Sequence, residues 1–136
     1  MAARSKARKR ALDILFEAEV RDEPVLELLA ERTLAATPPV SAYAAELVRG
    51  VQEHSTQIDQ LLAAHAQRWA LDRMPAVDRN ILRIGAYELL FRPDVPDAVA
   101  ISEAVALAGE LSTDDSPGFV NGLLGRLLEL KPTLAL

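Results

Sequence analysis

Cysteine is absent from the 136-residue chain. That excludes disulfides, thiolate metal sites and a catalytic thiol, and is compatible with a cytosol. Aromatic residues make up only 4%, and β-branched runs with period-two alternation are missing, so strands have little support. No apolar run reaches the roughly 18 residues that a membrane span needs. Asp13 interrupts the apolar stretch Leu12 to Leu15 behind the charged N-terminus, which argues against a secretory signal. A soluble cytoplasmic protein is expected. Histidine occurs only at His54 and His65. Neither has a partner at metal-ligand spacing, so no metal site is expected. Gly122-x-x-Gly125 continues into Arg126-Leu127-Leu128 rather than Lys-Ser/Thr, so it is no phosphate loop. No Gly-x-Ser-x-Gly elbow occurs and no glycine fingerprint follows a strand. Neither an enzyme nor a cofactor is expected.

Half the residues are apolar. A chain of this length can bury about 68% of its unfolded surface, so a single domain over 1–136 with a real core is expected. Alanine, leucine, glutamate and arginine dominate, and these are strong helix formers. Pro38-Pro39, the stretch Arg92 to Pro96 and the stretch Ser112 to Gly118 break the pattern, because the residue before a proline is pushed out of the α region. Between the breaks the periodicity predicts an all-α chain of about seven helices, over roughly 4–20, 24–36, 41–52, 55–67, 75–91, 98–111 and 117–130. Ser41 and Ser116-Pro117 read as helix starts. The 75–91 segment is apolar on nearly every face, which predicts a central helix. Gly85, Gly122 and Gly125 fall inside helical patterns, each costing about 1 kcal/mol against alanine. Close helix packing or a partner approaching the backbone would offset that cost.

The formal net charge is −5, yet it is unevenly spread. Residues 1–10 carry Arg4, Lys6, Arg8, Lys9 and Arg10 with no acid. The other residues are strongly acidic in sum. A basic tip on an acidic body points to one polyanion contact, and arginine forks suit phosphate oxygens. The alternative is a solvated tail. Because the segment is polar over most of its surface, removing residues 1–10 is expected to abolish most of the polyanion affinity while leaving the helical bundle folded. A second group, Arg68, Arg73, Arg79, Arg83 and Arg92, reads either as a further basic surface or as internal salt bridging to the acidic helices. Phe119 opens the last helix, where it serves either as core or as an aromatic platform for a base; the pattern alone favours core.

Several segments in order carry a family resemblance: Ser5 to Phe16, Leu47 to Val51, Trp69 with Leu71 and Arg73, Val77 to Leu89, Pro96 to Val105, and Asp115 to Leu124. With this spacing the chain resembles the NusB family of bacterial transcription antitermination factors over almost its whole length, the stretch near 21–42 excepted. The resemblance implies two small helical bundles packed together. It also implies binding to boxA RNA of nascent ribosomal RNA leaders, with NusE, a small-subunit ribosomal protein, as partner in an RNA polymerase antitermination complex. Carried over by position, Arg4, Lys6, Arg8, Asp115 and Phe119 fall on the RNA side. Lys9 and Arg10 join them through the basic run. Phe16, Asp78 and Arg83 match positions near the surface shared by RNA and NusE and are assigned to partner binding. Lys9 stands where the family usually has an acid, Phe16 lacks the hydroxyl of the commoner tyrosine, and Ser102 replaces an asparagine. The resemblance shifts Phe119 toward RNA contact. The rival readings are a helical protein-interaction scaffold and a DNA-binding module without RNA specificity, the latter disfavoured because the 75–91 helix is too apolar to lie exposed in a groove.

Overall fold

A computed structural model describes residues 3–67 and 69–136. Arg68, one of the second group of arginines, lies outside the described residues. Among the described residues the elements are α1 (Ala3–Arg21), α2 (Val25–Ala35), α3 (Ala42–Glu53), α4 (Ser55–His65), α5 (Ala76–Phe91), α6 (Asp97–Leu111), α7 (Ser116–Leu130) and a closing 3-10 turn, Lys131–Thr133. Among the described residues no helix is long and apolar enough to cross a membrane.

Each helix begins where local chemistry allows it. The Ser41 hydroxyl accepts the Ala44 N–H at 3.2 Å and caps α3. Pro24, Pro75 and Pro96 each stand just before a helix in extended backbone, where a missing N–H costs nothing. Ser116 behaves differently from the expected cap. It is the first residue of α7, its side chain is turned inward, and Asp115 holds the preceding position without a side-chain capping bond.

Helices α1, α2 and α3 pack together as one bundle and α4 to α7 as a second. Helix α5 belongs to both, since α1 and α3 also pack on it. Its residues Ile81, Leu82, Ile84, Ala86 and Leu89 are fully buried, as the pattern of 75–91 predicts. The two bundles therefore share one continuous apolar core. Glycine makes two of these contacts possible. A Cβ on Gly85 would lie 2.7 Å from a Leu124 methyl and 3.2 Å from the Ala104 Cβ, so this glycine lets α5, α6 and α7 meet. A Cβ on Gly50 would fall inside the Tyr87 ring.

Buried and half-buried ion pairs clamp the helices. Glu19 on α1 receives Arg79 at 2.6 Å and Arg83 at 2.8 Å, and Arg83 also reaches Asp59 on α4 at 2.9 Å. Arg92 pairs with Asp94 and Glu46. Arg79 and Arg83 are therefore internal clamps, Arg92 makes surface pairs with half-exposed partners, and Arg73 is exposed and carries no ion pair among the described residues.

Partial burial works against ionisation of Glu19, but hydrogen bonds from Arg79 and Arg83, with their charges, outweigh it and hold the carboxyl below its usual range. A carboxyl whose folded pKa is depressed stabilises the fold above its unfolded value, about 4.3, and loses that contribution as pH falls through the folded value. Urea melts across the acid range should therefore show the stability gap between the native chain and Glu19→Gln shrinking as pH drops below about 4. A gap independent of pH would show that the clamp acts without the charge on Glu19.

Candidate nucleic-acid interface

The basic run is helical from Ala3 onward and is not a detached tail. Its cations divide by the geometry of α1. Arg8 points into the protein and is 4% exposed. Its Nε donates to Glu88 at 2.8 Å and its Nη1 to Glu103 at 2.7 Å. Glu88, itself 1% exposed, also accepts the Tyr43 hydroxyl, and Glu103 accepts the Ser5 hydroxyl. Burial opposes the charge on Arg8, yet the bond and charge of Glu88 leave the guanidinium more firmly protonated than usual. Two of its three guanidinium nitrogens are thus engaged by carboxylates, which gives Arg8 a structural role. The expectation that residues 1–10 lie outside the core is corrected, since Ala7 is buried as well.

Of the other four cations, Arg4 and Lys6 are exposed and Lys9 and Arg10 are partly so. Arg4 pairs with Asp94 at 3.0 Å and lies over the Tyr43 ring, 4.2 Å from its centroid. Lys9 pairs with Glu110 at 2.6 Å. All four partners in these two pairs are about half exposed, and surface pairs of this kind contribute only about 0–1 kcal/mol, so an incoming phosphate can displace the carboxylates. Lys6 is exposed and has no ion pair among the described residues. Among the described residues Arg10 reaches the Pro38 carbonyl, at 3.4 Å, and its buried Nε finds no partner. The first turn of α1 contains no acidic residue, so its N-terminal dipole adds to the positive field.

The Lys9–Glu110 pair places this basic side of α1 against the end of α6, next to the turn that leads into α7. Asp115 is exposed at that turn. Phe119 is partly buried and packs at the edge of the core. Its ring meets Trp69 in a T-shaped contact with centroids 5.0 Å apart. Beyond Phe119 opens a cleft of about 340 Å³ bordered by His65, Gln67, Gly118, Gly122 and Arg126. Phe119 is thus both a rim of the core and a wall of a cleft. Phe119→Ala should cost less stability than the roughly 3–5 kcal/mol of a fully buried phenylalanine, measured by denaturant melts.

The three residues assigned to a partner do not form one patch. Phe16 is 36% exposed on α1. Arg83 is half-buried in its pairs with Glu19 and Asp59. Asp78 is fully buried. Its carboxyl accepts the Ser116 hydroxyl at 2.7 Å and the Ser112 hydroxyl, while Ser116 in turn accepts the Thr113 N–H at 3.2 Å. This corrects the expectation of Asp78 as a surface residue: it latches the α6–α7 turn from below. His54 stacks on Phe91 with centroids 3.9 Å apart. Among the described residues no group of histidines and acids could hold a metal ion.

Sequence reasoning gave no role to Tyr43, or to Glu103 within the Pro96 to Val105 segment. Glu88 was visible as a carboxyl within an almost wholly apolar helix. Such a residue needs a buried partner, but nothing local identifies Arg8 as that partner.

The sequence model described as NusB family matches residues 5–129. The transcription antitermination protein NusB of Nocardioides sp. is 58% identical over 99% of this chain and 100% of its own length. Among solved structures, NusB of T. maritima is 35% identical with a TM-score of 0.82, covering 94% of this chain and 92% of that one. A structure of antitermination factors NusB and NusE in complex with dsRNA is 27% identical with a TM-score of 0.80, covering 93% and 96%.

Proposed function

The chain belongs to the NusB family of transcription antitermination proteins, and from that premise we propose that it binds boxA-type single-stranded RNA of nascent ribosomal RNA leaders together with NusE, so promoting processive transcription by RNA polymerase. The observation that carries this reading is the set of surface cations on α1, with Arg4 and Lys9 in half-exposed, displaceable ion pairs, Lys6 exposed, and Lys9 held against the end of α6 that leads to Asp115 and Phe119. The cations hold phosphates. Asp115 accepts hydrogen bonds from base edges, and Phe119 offers a ring to a base, a contact worth roughly 1–3 kcal/mol. Arg8 and Asp78 act from inside, fixing α1 and the α6–α7 turn. Phe16, exposed on α1, is assigned to NusE, and Arg83, held by Glu19 and Asp59, is assigned to it at a separate place.

The fold neighbour that holds NusE was solved with double-stranded RNA, so the test compares both forms. Affinity is measured for single-stranded boxA RNA, the same RNA as a duplex, and duplex DNA, each with and without NusE. Preference for the single strand, increased by NusE, is the expected outcome. Single strands lose roughly 0.7 in log–log salt slope per neutralised phosphate, so three or four contacts give a slope of about −2 to −3. Affinity indifferent to salt would overturn the role of α1. Equal binding of duplex DNA would favour a module without RNA specificity.

A further inference from the structure

We propose that Arg92 joins Arg4 in a two-guanidinium seat for one backbone phosphate of the bound RNA, and that Asp94 fills this seat until the RNA displaces it. The proposal rests on the RNA-binding reading. It extends that surface from α1 to the residue that follows α5 and to the loop behind it.

The seat is assembled on one ring. The Arg4 guanidinium lies 4.2 Å from the centroid of Tyr43, and the Arg92 guanidinium lies 5.2 Å from the same centroid. Cations are attracted to an aromatic face, but two cations at one ring repel each other unless an anion stands between them. Asp94 is that anion. Its Oδ2 accepts Arg4 Nη2 and Arg92 Nη2, each at 3.0 Å, and its Oδ1 accepts Arg92 Nε at 3.1 Å. A guanidinium fork with a further charge-assisted bond from a second guanidinium is also how arginines hold a phosphate. The ring that places both cations is itself fixed from inside. The Tyr43 hydroxyl donates to Glu88, the buried carboxylate that holds Arg8. Tyr43 is thus a positioning residue for the seat.

The occupant is replaceable. Arg4 and Asp94 are about half exposed, so their pair contributes little, and a displaced Asp94 side chain returns to water. Hydrogen bonds from Arg92 and then from Arg4 hold its carboxyl below the usual range, so near neutral pH it competes as a charged group. Arg92 also donates to Glu46 at 3.1 Å. With Asp94 in place, two arginines therefore face two acids, and the seat carries no excess charge until Asp94 leaves. A free anion has to compete with a carboxylate tethered beside the seat at high effective concentration. A phosphate of an RNA strand already held by Lys6 and Lys9 is tethered too, and contends on equal terms. The chemistry therefore favours the RNA backbone over free phosphate.

The test uses the full chain with NusE and single-stranded boxA RNA in which one linkage at a time is a neutral methylphosphonate. In the native protein one linkage served by this seat should weaken binding roughly five- to tenfold. Arg92→Gln should cause a loss of that size on unmodified RNA, lower the salt slope by about 0.7, and make that one linkage silent. Asp94→Asn keeps a turn-forming side chain and removes the competing charge. It should tighten binding roughly two- to fivefold, and the gain should shrink when Arg92→Gln is added. Glu31→Gln makes the same charge change at an exposed site on α2 and should leave affinity unaltered. If Arg92→Gln silences no linkage, or if Asp94→Asn binds no more tightly than Glu31→Gln, the seat is refuted and RNA binding by α1 still stands. Inorganic phosphate alone should show no saturable binding; binding that Arg92→Gln abolishes would assign the seat to a free anion and overturn the proposal. Failure of the native chain to bind any RNA would overturn both readings together.

Discussion

Replacing Arg8 with alanine is expected to lower the free energy of unfolding by about 3–5 kcal/mol. That is a large share of the roughly 5–15 kcal/mol available to a domain. The cost comes from what stays behind. Glu88 is almost completely buried between helices and would keep only the Tyr43 hydroxyl. Taking one partner from a buried ion pair strands the other charge in a poorly solvating interior. Urea denaturation followed by circular dichroism measures the loss. Arg8→Met combined with Glu88→Leu should recover much of it, because replacing both charges by apolar groups removes the stranded carboxyl. Deleting residues 1–10 should unfold the protein for the same reason, the reverse of what a solvated tail would do. A cost under about 1 kcal/mol for Arg8→Ala, typical of a surface pair, would show that Arg8 is free to meet RNA after all.

Asp78→Ala is expected to cost about 2–4 kcal/mol, since two hydroxyls lose their buried acceptor and each unsatisfied buried group costs about 1–3 kcal/mol. The Ser116 hydroxyl retains its bond with Thr113, which tempers the loss. The consequence should be local before it is global. Hydrogen exchange should quicken around 112–119, where the latch holds the turn, and RNA affinity should fall although Asp78 touches no solvent. Ser112→Ala removes one of the two bonds and should give a smaller version of both effects. Unchanged exchange at the turn, with RNA or NusE binding lost, would return Asp78 to a direct contact.

The helices were legible because their determinants are local. Ser41, the prolines and the periodic apolar residues act within one turn of where they stand, and the starts at 41, 55, 75 and 98 fall within one residue of those observed. The apolar excess of 75–91 likewise announced a central helix, since a segment without a polar face must be covered on every side. The basic character of α1 was legible as composition. Its division into an inner and an outer set was not. Arg4 and Arg8 lie one turn apart and read alike, yet one lies over the face of the partly buried Tyr43 ring and the other enters the core.

That division depends on residues some 80 to 95 positions away, Glu88 and Glu103, which only packing brings to Arg8. Asp78 is a similar case: as a letter in a motif it could be a surface contact or a latch, and the arrival of Ser112 and Ser116 decides it. By itself the sequence determined an all-α chain with a central fifth helix, a basic first helix and the set of residues that carries the NusB resemblance. The tertiary structure alone decided which charges are neutralised inside, which remain for a polyanion, and which glycines fit a packed neighbour. The physical reason is that helix formation is governed by neighbours along the chain, whereas desolvation and ion pairing are governed by neighbours in space.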